Sequence, residues 1–330
     1  MPDYTFRNMR TWAMLGSCGA FGMAALELPE IDDRVVILTA DLTYFSGLER
    51  FRQKYPDRLY NFGIAEQNMI GAAAGFAKEG FIPFSTTYAA FASLRAADQV
   101  KVSMGYMQLP IKLIGLTSGY SVGVLGATHI CMEDLAIMRS IPNITVLSPS
   151  DCACVVKAVI AAAISPRPVY IRLSGSMNNP MVYKEDFDFT IGKANQLRSG
   201  GNMAILATGS MVYYALEAAK KLENLGVSAD VYDFHTIKPL DKDTIDKCMD
   251  KKLIVTMEEH SRIGGFGAAV AETIAGEKDR PPQLILGADD SYPHAASYKD
   301  LLSDAGFSVE TITRKILDAY KRGTTHYEQQ

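Results

Sequence analysis

The sequence predicts an α/β protein of two domains, each a mostly parallel sheet flanked by helices. Three observations predict it. Short apolar runs of strand length alternate with Ala- and Gly-rich helical stretches in both halves of the chain. A stretch rich in Gly, Asn, Pro and acidic residues interrupts that alternation between Ser174 and about Thr190. The length, 330 residues, suits two domains of roughly 100–200 residues each.

The elements follow in order. Arg34 to Ala40 is an apolar run ending at Asp41, the pattern of a buried parallel strand. Asn68 to Lys78 reads as a helix, Phe81 to Ser85 as a strand and Tyr88 to Gly105 as a helix. Ile111 to Leu116 is a strand, Met132 to Ser140 a helix and Ile144 to Leu147 a strand. Ser148-Pro149-Ser150-Asp151 opens the next helix, with Asp151 or Ser150 as its cap, and Pro168 to Arg172 is a strand. The expected boundaries are 1–175 for the first domain, 176–195 for a linker and 196–330 for the second domain. In the second domain Asn202 to Thr208, Ala229 to Asp233, Lys252 to Met257 and Pro282 to Gly287 read as strands. Helices run from Met211 to Leu225, from the Gly264-Gly265-Phe266-Gly267 turn to Ala275, and from Ser308 to Lys321. Ligands in parallel sheets sit beyond the carboxyl ends of the strands, and Asp41, Glu66, Thr117 and Arg172 lie at or shortly after such ends.

Composition narrows the function classes. Hydrophobic residues are 48% and charged residues 21%, which excludes a disordered chain. A net charge of -4 gives no reason to expect nucleic acid as a partner. No apolar run approaches the roughly 20 residues of a membrane span, and Met1 to Arg7 carries no apolar signal region. Five cysteines, an odd count in a large chain, point to a reducing cytoplasm and away from a disulfide framework. Cys152 and Cys154 could form a metal or redox pair, but no Cys or His stands nearby at zinc spacing; the bland reading is small apolar residues on a helix.

The stretch Asn61-Phe62-Gly63-Ile64-Ala65-Glu66-Gln67-Asn68-Met69 carries the most chemistry. Glu66 opens a small, apolar helix, where a carboxylate is costly unless something pairs with it. Taken alone it could equally be a helix N-terminal Glu satisfying backbone donors. Tyr88 and Phe91, about one helical turn apart, add an aromatic platform beside the acid, suited to a flat heteroaromatic ring.

These segments, with Gly126-Ala127-Thr128-His129 and the run from Glu133 to Asn143, resemble the pyrimidine-binding domain of transketolases. Gly201 to Ala204 through Ile263 to Gly267 resembles the C-terminal domain of the same enzymes. Deoxyxylulose-phosphate synthase and the beta subunit of 2-oxoacid dehydrogenases share both domains. Whole-length transketolases begin with another domain, which holds the diphosphate and divalent metal of thiamine diphosphate through Gly-Asp-Gly and a later Asn. No Gly-Asp-Gly occurs in this sequence. The resemblance therefore implies half of a split transketolase. A separate N-terminal subunit would supply the diphosphate and Mg2+ or other metal ligands, in an α2β2 heterotetramer.

The resemblance assigns roles. Glu66 would bond the pyrimidine N1′ and help the cofactor's amino group act as base, in an apolar setting that lets it share a proton. Tyr88 and Phe91 would stack on the pyrimidine. His129 would contact the ketose oxygen and relay protons. Arg172 would grip a substrate phosphate with its fork, Ser46 would lie near that phosphate, and Asp41 near the cofactor. No metal ligand is assigned to this chain. Two residues depart from the family pattern: Leu125 stands where ordinary transketolases have an Asp that bonds a sugar hydroxyl, and Thr117 (or Ser118) where they have a His. A lost polar contact changes specificity by large factors. The reading is a beta-type subunit that passes a two-carbon ketol unit from a ketose, or ketose phosphate, to an aldehyde, with unusual sugars. Its rivals are decarboxylating transfer from a 2-oxoacid on the same scaffold, and a regulatory subunit without catalysis. Glu258-Glu259-His260 with the following glycines reads as an anion turn or as structure, and His235 as structure.

Overall fold

The computed structural model describes residues 2–327. The first six strands are β1 (Val35–Thr39), β2 (Leu59–Asn61), β3 (Ile82–Tyr88), β4 (Lys112–Leu116), β5 (Thr145–Leu147) and β6 (Val169–Arg172). The next are β7 (Asn195–Arg198), β8 (Met203–Ala207), β9 (Ala229–Asp233), β10 (Thr236–Lys238), β11 (Ile254–Ser261) and β12 (Gln283–Ala288). They form two sheets. The first is ordered β10-β5-β6-β4-β3-β1-β2 and the second β12-β11-β8-β9-β7. All pairings are parallel except β10 on β5 and β7 on β9. The strands β1, β3, β4, β6, β8 and β9 are buried along their whole length, as a sheet covered by helices on both faces requires.

The two domains are not independent beads. β10 comes from the second half of the chain but pairs with β5 of the first sheet, Thr236 opposite Leu147. The segment between the domains is irregular but held down. Asp151 caps the helix Cys152–Ile164 through Cys154 N, and its other oxygen accepts the backbone N–H groups of Val182 and Tyr183 at 2.8 and 2.9 Å. Tyr183 stacks on Phe187 at 3.5 Å and donates to Asp233 Oδ2 at 2.8 Å.

Asp233 is fully buried, and burial pushes its carboxyl up from 3.8 to about 7. The native state then keeps a proton that the unfolded chain releases, so stability falls as pH rises from 3.8 through 7. Asp233→Asn removes this loss. The stability of the variant relative to wild type is expected to rise by a few kcal/mol across that window, at about 1.4 kcal/mol per pH unit at most, as read by urea unfolding at a series of pH values.

A long N-terminal helix, Phe6–Ala25, was not expected from the sequence. Gly16 kinks it at φ 75°, where a Cβ would meet Ser176 O at 3.0 Å. The helix packs on Cys152–Ile164, sharing one apolar core through Trp12, Phe21, Val156 and Val159. Cys152 and Cys154 are buried in the first turn of that second helix. Tyr88 ends β3 rather than opening a helix, and the expected helix after it is broken into wide π-helical turns at Phe91–Arg95 and Lys101–Tyr106. Among the described residues no helix is long and apolar enough to cross a membrane.

Candidate active site

β4, β3 and β1 are neighbours in the first sheet, and the helix Glu66–Lys78 begins beyond their carboxyl ends. Glu66 is the first residue of that helix, after Ala65, which offers no side-chain cap. Its side chain is 3% exposed. Its setting is not the apolar one expected: Arg95 Nη1 donates to Glu66 Oε1 at 3.0 Å and Oε2 at 3.1 Å. The same guanidinium lies over the Phe91 ring, 4.0 Å from its centroid. Sequence reasoning passed over Arg95. The available signal was a lone cation in the stretch after the Tyr88/Phe91 pair, 29 residues from a buried acid that needed a partner.

An aromatic cluster continues from Phe91. Tyr88 and Phe91 stand 5.9 Å apart, and the His129 ring meets them edge-on at 5.8 and 5.3 Å. Phe45 adds a tilted contact to Tyr88 at 6.4 Å. His129 Nδ1 is 3.0 Å from Thr128 Oγ1. Leu125 ends the short turn Gly123–Leu125 of the same loop and is 48% exposed. Thr117, just past β4, takes φ 52°, and its buried Oγ1 has no partner among the described residues. Asp41, just past β1, also has positive φ, 59°, and accepts from Asn61 Nδ2 at 3.0 Å. Strained residues at strand ends and an orphaned hydroxyl are the marks of a ligand site.

Two expected site residues are bonded within the protein. Arg172 does not face the cleft. It is 1% exposed, and its Nε donates to Asp134 Oδ1 and Oδ2 at 3.1 and 2.9 Å. Its Nη2 donates to the Glu259 carbonyl of the second domain at 2.7 Å. Its Nε and one Nη2 donor are thus committed to a buried carboxylate and a carbonyl. Ser46 is fully buried, and its Oγ shares a hydrogen bond with Thr86 Oγ1 at 3.1 Å.

Arg172 instead belongs to a polar seam between the domains. Tyr170 donates to Asp134 Oδ2 at 2.8 Å. Glu259 accepts the Tyr120 N–H at 2.7 Å, the Tyr298 hydroxyl at 2.8 Å and the Ser210 hydroxyl. Gly119 makes room for that carboxylate: a Cβ there would lie 2.2 Å from Glu259 Oε1. The glycine turn before Phe266 is filled from within, since Glu258 accepts the Phe266 and Gly267 N–H groups at 2.6 and 2.7 Å. His260 is buried beside it, with its pKa lowered to about 4 by burial, and its Nε2 lies 3.1 Å from Leu135 N. His235 is a structural residue, buried and stacked on Phe189 at 4.1 Å.

The order of these features along the chain matches known proteins. Residues 16–179 match the model of the transketolase pyrimidine-binding domain, and residues 192–312 that of the transketolase C-terminal domain. The chain belongs to the transketolase family. It is 41% identical over 300 residues to a 6-deoxy-6-sulfo-D-fructose transketolase subunit of Clostridium sp. strain MSTE9, covering 90% of this chain and 92% of that one. It is 35% identical over 311 residues to an apulose-4-phosphate transketolase subunit of Phocaeicola vulgatus, covering 94% and 99%. A solved structure described as a split gene transketolase, inactive beta4 tetramer, superimposes with a TM-score of 0.82 at 36% identity, covering 92% of this chain and 97% of that one. Transketolase from Campylobacter jejuni shares the fold, with a TM-score of 0.75 at 23% identity, and this chain spans 46% of its length. Membership in the transketolase family implies use of thiamine diphosphate. The residues fit its aminopyrimidine: a buried carboxylate, an aromatic face beside it and an unpartnered hydroxyl at the adjoining strand end.

Proposed function

We propose that this chain is the beta-type half of a split transketolase, which moves a two-carbon ketol unit from a ketose to an aldehyde. The observation that carries the reading is the gathering of Glu66, Phe91, Tyr88 and His129 at one sheet edge. When bound, thiamine diphosphate supplies the nucleophilic carbon that breaks and remakes a C–C bond beside a carbonyl. Glu66 would share its proton with the pyrimidine N1′, so that the exocyclic nitrogen can act as base. Phe91 and Tyr88 would orient that ring, with Asp41 at its margin. His129 would hold the substrate oxygen and exchange its proton. The diphosphate and the divalent metal would be held by a separate N-terminal chain, in an α2β2 assembly. Two relatives that align over nearly their whole length carry subunit names, and this sequence has no Gly-Asp-Gly.

The substrate is a sugar other than the usual pentose and heptose phosphate pair. Arg172 and Ser46 are turned inward, Leu125 presents an apolar side chain in the His129 loop, and Thr117 takes the place of a histidine. The test is a panel of ketoses, with and without a terminal anion, offered to the chain reconstituted with its diphosphate-binding partner. Ketol transfer without release of carbon dioxide from pyruvate supports the proposal, and carbon dioxide release would replace it with decarboxylating transfer. Leu125→Asp is expected to raise kcat/KM for ordinary sugar phosphates relative to the preferred substrate by at least about tenfold, because a carboxylate restores a hydroxyl partner. An unchanged ratio would remove Leu125 from substrate recognition.

A further inference from the structure

We infer that Arg95 is a positioning residue of the cofactor half-site, fixing the Glu66 carboxylate and the Phe91 ring in one frame. The inference rests on the proposal that Glu66 and Phe91 face the cofactor. Those two groups lie on different elements, and one side chain joins them. Arg95 Nη1 bonds both carboxylate oxygens, at 3.0 and 3.1 Å. Its guanidinium carbon stacks 4.0 Å above the Phe91 centroid. Its own carbonyl accepts from Gln67 Nε2 at 3.1 Å, so its backbone is tied to the residue that follows the acid. The turn from Phe91 to Arg95 is π-helical, a local widening often found at functional sites.

The geometry leaves the acid usable. A single donor shared between two oxygens leaves each with a free lone pair, so the carboxylate can still accept a ring N–H. Arg95 is 46% exposed at the side chain whereas Glu66 is 3% exposed, so the pair opens outward from a buried acid to an accessible cation. A planar, permanently charged fork can bond a carboxylate through its edge while its plane stacks on a ring, a geometry that the point charge of a lysine does not reproduce.

The test uses the complex reconstituted with its partner chain. Wild type, Arg95→Met, Arg95→Lys and Glu66→Gln are compared for thiamine diphosphate dissociation constant by equilibrium dialysis, for cofactor KM against kcat, and for melting temperature. Arg95→Met is expected to weaken cofactor binding at least about tenfold, and Arg95→Lys to recover part of that loss, because charge returns without the stacked plane. Cofactor binding by Arg95→Met as tight as wild type, with only a lower melting temperature, would show a purely structural ion pair and overturn the inference. Tighter binding would show that Arg95 merely occupies the ring's place, and would also overturn it. If Arg95→Met does not assemble, Arg95→Lys decides: wild-type affinity and kcat overturn the inference. Failure of the underlying proposal looks different, because Glu66→Gln would then bind the cofactor and turn over as wild type does.

Discussion

Glu66→Gln is expected to lower kcat/KM of the reconstituted enzyme by about 10²–10⁴-fold, the usual worth of a positioned acid–base group. The substitution keeps the size and one acceptor oxygen but removes the charge. It removes at once the group that shares a proton with N1′ and the charged partner of Arg95, whose Nη1 meets both oxygens. Assembly with the partner chain is expected to survive, because Gln can still accept one hydrogen bond from Arg95. Steady-state kinetics with cofactor varied, together with a sedimentation check of the complex, reads both results. Activity within a few-fold of wild type would mean that Glu66 only satisfies a helix start, and would favour a regulatory subunit.

Arg172→Met is expected to lower folding stability by about 3–5 kcal/mol, because it strands a buried charge. Asp134 is 0% exposed, with Arg172 Nε on both its oxygens; among the described residues the Tyr170 hydroxyl is then its remaining side-chain hydrogen bond, with His260 Nε2 3.9 Å away. The loss also frees the Glu259 carbonyl and so loosens the second domain from the first. The double variant Arg172→Met with Asp134→Leu is expected to recover most of the stability, since removing both charges also removes their desolvation cost. Urea unfolding of the isolated chain measures the series. A stable Arg172→Met whose complex showed a large rise in KM for a phosphorylated substrate would return Arg172 to the cleft.

Arg172 shows where local reading stops. A cation at a strand end looks the same whether it faces a ligand or a buried acid. Asp134 lies 38 residues earlier and Glu259 is 87 residues later, so neither partner is visible in a short window. The partner of Ser46 is equally remote, with Thr86 40 residues away. The strands β1, β4, β6, β8 and β9 were legible because continuous burial leaves continuous apolar runs. The edge strands β2 and β7 are short, and part of each is exposed, so they leave no such run. The Phe6–Ala25 helix was hidden by Gly16, Gly19 and Gly22, which weaken a helical pattern that tertiary packing then enforces. The acid, the aromatic pair and the histidine were legible because each sits at a strand end or in a loop that the parallel topology brings to one edge. Arg95 was not, because a cation inside a helix reads as a solvated face until the acid across from it is seen.

The central claim is that this chain holds half of a site. Its most direct test is thiamine diphosphate-dependent ketol transfer by the purified chain, by its diphosphate-binding partner chain, and by the two mixed. A divided site predicts no turnover from either alone and turnover that saturates at equal amounts of the two. Turnover by this chain alone would contradict it.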